Sequence, residues 1–235
     1  MYDEIRIAYE AISAILCFIL VKFMIKPYQI TRESRYLGLP LGFGFLGATY
    51  AFSSFSYFQP YIFGRQTMYL QLVVRAFAFM FLTMTYYFSG KETKSKLLWN
   101  STIAALTVGL IATLAVLLSL PIDALPSYQL TSVVIRIFNL CCILYICAHT
   151  LRSHIEAPTP GTIWIPLAYI LLGISQYSLL IWIVDNSIFA FFSALAIRWA
   201  SLAIFLFVSY KAFYSTEKGR LNEKDCAERQ TENLR

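Results

Sequence analysis

Apolar residues in this chain are gathered into seven runs of about 20 residues, separated by short polar breaks. They cover residues 5–26, 36–58, 68–89, 99–121, 130–151, 162–184 and 187–213. A helix of ~20 apolar residues spans a bilayer core of ~30 Å. In lipid only helices and closed barrels satisfy every backbone N–H and C=O. The runs therefore predict an all-α fold, a polytopic integral membrane protein built as a seven-helix bundle. Composition agrees: the chain is 58% hydrophobic and 14% charged, where soluble domains carry about a quarter charged residues. The breaks "KPYQITRESR", "FQPYIFGRQ", "SGKETKSK", "PIDALPS" and "HIEAPTPG" each carry turn residues. The last, "VDNS", is so tight that the sixth and seventh spans must be antiparallel neighbours. The N-terminus begins MYDEIR, acidic rather than basic, and no small-residue cleavage site follows the first run. The expectation is a retained first helix, not a signal peptide.

Lys and Arg sort by side. Lys22, Lys26, Arg32 and Arg35 follow the first span, Lys91, Lys94 and Lys96 the third, and Arg152 the fifth. Lys211, Lys218, Arg220, Lys224, Arg229 and Arg235 follow the seventh, which makes fourteen of nineteen on one side, against Arg6 and Arg65 on the other. The positive-inside rule then predicts a multi-pass cell-membrane protein with its N-terminus outside and its C-terminus cytoplasmic. Residues 1–214 form the transmembrane domain in this reading, and 215–235 a short polar cytoplasmic tail. The net charge of +6 sits in loops beside apolar runs, so no nucleic-acid partner is expected.

Three arginines lie inside spans: Arg75, Arg136 and Arg198. Their spacings of 61 and 62 residues, with 62 and 64 between Gly47, Gly109 and Gly173, suggest one helix followed by three two-helix repeats. Each arginine falls one to three turns from the outer end of its span, and Glu10 reaches a similar depth on the first. Helical spacing extends these sites into polar stripes: Arg6, Glu10 and Ser13; Gln71 and Arg75; Ser132, Arg136 and Asn139; Arg198 and Ser201. Gln176 and Tyr177, with Thr49, Tyr50 and Ser53, reach the same layer from the other direction. A charge in mid-membrane costs ~2.5–3.5 kcal/mol on insertion scales. Taken singly, each arginine is explained by snorkelling to the outer surface together with an ion pair to Glu10. As a set they outnumber Glu10, so the layer is either an ion network closed by Asp123 and Asp185 or a pocket with surplus positive charge. Such a pocket suits a small anionic or carbonyl-bearing ligand, because guanidinium offers a planar fork of donors.

The remaining features carry less. Gly38/Gly42 and Gly44/Ala48 give small-xxx-small spacing, expected to serve internal helix packing rather than dimerisation. Pro40 and Pro166 sit near helix starts, where a missing N–H costs least. The stretch "YAFSSFSYFQPYIF" reads as an interfacial aromatic belt, with a cage of Tyr50, Tyr57 and Tyr177 as the functional alternative. Cys17, Cys141, Cys142 and Cys147 lie in apolar segments and Cys226 in the tail, which makes no disulfide framework. His149 and His154 lie at one end of one span, so paired haem ligation is excluded, and their spacing fits no standard zinc pattern. No lysine falls within the last span before Lys211, so a retinal Schiff base is not expected. HExxH, GxSxG, P-loop and GxGxxG motifs are all missing from the sequence. We expect no catalytic residues, no metal and no cofactor. The functional expectation is a non-enzymatic binding or sensing module that acts through a membrane or cytoplasmic partner. Its candidate residues are Glu10, Arg75, Arg136, Arg198, Gln71, Asn139, Gln176, Tyr50 and Tyr177. The alternatives are a structural or accessory subunit of a membrane complex, and a small-solute transporter.

Overall fold

The computed structural model describes residues 2–31, 34–58, 65–89, 96–121, 124–156 and 163–232. Among them there is no strand, and seven long helices follow the seven apolar runs. These are α1 (Tyr2–Met24), α3 (Gly38–Phe58), α4 (Arg65–Ser89), α5 (Lys96–Ser119), α6 (Tyr128–Glu156), α7 (Trp164–Asp185) and α8 (Ile188–Glu232). A short α2 (Lys26–Thr31) and a 3₁₀ turn (Ser34–Leu37) link α1 to α3. Six of the seven are long and apolar enough to cross a membrane. The exception is α3, diluted by Gly38, Gly42, Gly44 and Gly47 and by the hydroxyls of Thr49, Ser53, Ser54 and Ser56.

Local chemistry explains the sharpest break. α7 ends at Asp185, and Asn186 takes the left-handed conformation (φ 51°) that closes it; Asn tolerates that region better than most residues. The Ser187 hydroxyl then accepts the Ala190 N–H at 3.4 Å and caps α8. Two helices turn back on each other with almost no loop. α8 does not stop at residue 213, where the apolar run ends: it continues helical to Glu232. No proline follows Pro166 in the sequence, so nothing in the backbone chemistry forces an earlier stop.

Six helices close a ring. α1 packs on α3, α3 on α4, α4 on α6, α6 on α7, α7 on α8, and α8 returns to α1. α5 stands outside it, packed on α4 and the 3₁₀ turn. The expected repeat is therefore not reproduced as three packed pairs. α3–α4 and α7–α8 are such pairs, whereas α5 leans back on α4 instead of forward on α6. The glycines show the reason. A Cβ on Gly109 of α5 would meet Phe77 of α4 at 3.7 Å, and one on Gly173 of α7 would meet Ile143 of α6 at 3.3 Å. Gly47 of α3 likewise faces Cys17 of α1 at 3.0 Å. Each of these glycines admits the preceding long helix, so the unit the glycines mark is a helix and the glycine helix after it. Gly38 and Gly42 use the other side of α3. A Cβ on Gly42 would lie 2.6 Å from Leu82 of α4, a closeness that only a missing side chain permits.

Polar bonds add direction to this packing. Ser54 donates to the Ile7 carbonyl (3.1 Å), Ser175 to Ala194 (2.8 Å) and Ser201 to Ala168 (2.8 Å). Trp199 of α8 donates to the Tyr9 carbonyl and the Ser13 hydroxyl of α1, and its ring stacks on Tyr9 at 4.2 Å. In lipid, where water does not drive helices together, such bonds and close van der Waals contact set which faces meet.

Candidate functional site

All six ring helices supply side chains to one cavity. It lies at the end where α1, α4, α6 and α8 begin and α3 and α7 finish. Arg75 is ten residues into α4, Arg198 ten into α8, Arg136 eight into α6 and Glu10 eight beyond Tyr2, about 12–15 Å from the helix starts at ~1.5 Å per residue. That is too deep for side chains on a lipid-facing surface, and none is on one. Arg198 is 1% exposed, Arg75 and Arg136 7%, and Glu10 5%. Snorkelling therefore does not describe these arginines.

Each cation is held differently. Arg198 donates through Nη1 to Glu10 Oε2 at 3.0 Å, a buried ion pair that joins the last helix to the first. Arg198 also lies over the Tyr50 ring (4.6 Å), as does Arg75 (5.1 Å). Arg136 reaches back one turn to the Ser132 hydroxyl at 3.3 Å. Arg6, which the polar stripe of α1 contained but the candidate set did not, lies 3.8 Å from the centre of the Tyr57 ring, with Phe191 and Trp182 at 5.0 and 5.6 Å. Aromatic faces attract cations through their quadrupole but do not neutralise them. Four arginines less one glutamate leave the lining with a formal charge of +3. Asp185, one of the two loop carboxylates that would close an ion network, is exposed at the end of α7 and does not line the cavity. Asp123 lies outside the described residues.

The other candidates divide. Gln71 lines the cavity and donates to Ser56 at 3.1 Å, which ties α4 to α3. Tyr50, Asn139 and Gln176 do not line it; they lie about one turn deeper, each at most 1% exposed. Among the described residues, the Tyr50 hydroxyl and both amide atoms of Asn139 and of Gln176 have no hydrogen-bond partner. A buried polar atom left unpaired costs about 1–3 kcal/mol, and water is the simplest group that meets such atoms. Tyr177 is a correction. One residue beyond Gln176 is a ~100° turn on a helix, and Tyr177 is 52% exposed on the outer side of α7. The tyrosine cage thus keeps Tyr50 and Tyr57, each beneath a cation, and loses Tyr177. Trp182, Phe191 and Tyr128 also line the cavity. The sequence analysis singled out none of these three, and it held Arg6 only as a member of the polar stripe shared with Glu10 and Ser13.

The cavity measures about 40 Å³. At ~10–15 Å³ per water-sized guest it holds about three such spheres, far below the ~300–1,000 Å³ of a drug-sized pocket. The opposite end of the ring has a different hollow, about 200 Å³, with an apolar lining that includes Met24, Leu39, Ile165, Phe205 and Val208. Between the two lies a packed aromatic and aliphatic core. Phe205 meets Tyr169 at 4.7 Å and Phe43 at 5.2 Å, with Leu46, Leu172 and Leu202 around them. Among the described residues, no three His, Cys, Asp or Glu side chains gather in a way that would hold a metal ion. His149 sits against the rings of Tyr86 and Tyr145. No protein-family model matches the chain, nor does any curated protein or solved structure.

Proposed function

We propose that this chain is a non-enzymatic seven-span membrane protein that binds a small anionic ligand in its arginine-lined cavity and signals occupancy through a partner protein. The observation that carries the reading is the charge imbalance: four buried or caged guanidiniums share a small cavity with one carboxylate. The distribution of Lys and Arg supports an outward-facing cavity, a multi-pass location in the cell membrane, an external N-terminus and a cytoplasmic C-terminus. α8 carries the cavity's most buried arginine towards one end and runs helical to Glu232 at the other, a continuous lever from site to tail.

Two measurements test this. In detergent, small anions raise the apparent unfolding midpoint of the wild type, and the paired substitution Arg75→Gln with Arg136→Gln removes the response. A midpoint indifferent to every anion would leave only a structural charge network. For orientation, Cys226 in intact cells reacts with a membrane-impermeant maleimide only after permeabilisation; labelling without it reverses the proposed topology.

The accessory-subunit reading has one observation in its favour. α5 is held chiefly by α4, and Leu97, Val108, Ile111, Val116 and Leu118 stand between 58% and 84% exposed along it. A fixed partner that cross-links to α5 and co-purifies with the chain would favour it.

A further inference from the structure

The donors in the cavity say more about the guest than its sign. Arg6, Arg75 and Arg198 each have a buried Nε, and Arg136 a buried Nη1, with no acceptor among the described residues. The Glu10 carboxylate meets Arg198 through a single bond, Nη1 to Oε2, and the Nε–H on the other edge of that guanidinium has no acceptor among the described residues. An uncompensated buried guanidinium is strongly unfavourable, so these unmet donors define the missing group by its complement. A guanidinium presents N–H groups in a fixed plane, spaced for two oxygens of one carboxylate, phosphate or sulfate. A monatomic halide accepts several N–H groups at once but has no second acceptor atom to match the two prongs of one fork. The volume of about 40 Å³ sets the size: one oxoanion group of three to five non-hydrogen atoms, with any larger body left outside.

We infer that the cavity binds one oxoanion group, chiefly on Arg75 and Arg136, and that Glu10 is its resident stand-in, holding the Arg198 Nη1 that the anion would otherwise bind. This rests on the anion-binding reading above and narrows it. Glu10 then does two things. It orders Arg198 when the cavity is empty, and it repels the guest, which keeps affinity moderate and binding reversible. The group has two sources with the same chemistry, a free anion or the phosphate of an anionic lipid reaching in from the membrane.

The test uses the full-length protein in nanodiscs of neutral lipid, with phosphate, sulfate, acetate and chloride compared at equal ionic strength by thermal unfolding. The oxoanions raise the midpoint and chloride does not. Glu10→Gln lowers the half-saturating phosphate concentration by roughly tenfold, as expected when a unit negative charge is removed within a few ångströms of the guest. Glu10→Asp, one methylene shorter, gives a smaller gain in the same direction and serves if Glu10→Gln does not fold. In nanodiscs of phosphatidylglycerol, a wild type already stabilised and deaf to added phosphate identifies the lipid headgroup as the source; a full response identifies the free anion. Chloride as effective as phosphate overturns the oxoanion assignment while anion binding stands. Weaker phosphate binding in both Glu10 variants overturns the stand-in role. No response to any anion in either lipid overturns the anion-binding reading as well.

Discussion

At one end of the ring, Arg6, Arg75, Arg136 and Arg198 surround about 40 Å³; at the other, residues such as Met24, Leu39, Ile165 and Phe205 surround about 200 Å³. The same helices build both ends, and each end uses a different kind of force. The cationic end is tied by directional contacts between named atoms: Arg198 to Glu10, Gln71 to Ser56, Trp199 to Tyr9 and Ser13. The apolar end is tied by ring packing, Phe205 on Tyr169 and Tyr169 on Tyr86, and by the close approach of α3 to α4 across Gly38 and Gly42. Directional contacts can be exchanged for contacts to a guest; ring packing cannot be exchanged without leaving a void. The comparison therefore separates a part of the bundle held by exchangeable polar contacts from a part held by close packing.

Truncations at the two ends should cost most and should differ in kind. Arg198→Leu leaves Glu10 buried without its partner and is expected to destabilise by about 3–5 kcal/mol, read as a fall in the unfolding midpoint in detergent. Adding Glu10→Leu recovers much of that loss, because no orphan charge remains. Phe205→Ala is expected to cost a similar amount, about 3–5 kcal/mol, with no second-site rescue and no change in the anion response. If Phe205→Ala abolishes the anion response, or if the Arg198→Leu loss persists in the double variant, the two ends are not separable in this way.

A middle-sized effect sharpens the account of the apolar end. Gly42→Val places its new atoms against Leu82, 2.6 Å from where the Cβ falls, and should cost about 1–3 kcal/mol by overpacking. A neutral result would mean that α3 and α4 can separate freely. The smallest effect belongs outside the ring. Val108, 64% exposed on α5, lies near neither cavity, and Val108→Ala should change stability by less than about 0.5 kcal/mol and leave anion binding intact. A large loss would reveal that α5 is covered in the working state.

Most of the fold was legible in the sequence. The seven apolar runs, the "VDNS" hairpin and the glycine spacing on α3 all correspond to features of the structure. Part of the cavity's lining was legible as well. Arg75, Arg136, Arg198, Glu10 and Gln71 do line one cavity, because four helices that start at the same end place residues of equal depth in one layer. Three things were not legible. Tyr177 turned away while Gln176 turned in; Arg6 belonged to the cavity; and α5 left the ring, which broke the expected pairing with α6.

The cause is the same in each case. Length and hydropathy fix how many helices a chain makes and how deep each charge lies, since those are properties of one helix against a slab of lipid. In lipid an apolar helix has no wet side to mark its outer face, so its sequence barely encodes its rotation. Which face turns inward, and which helix is left out, is decided by the fit of glycines, rings and hydroxyls between neighbours, and that fit exists only once the helices are together.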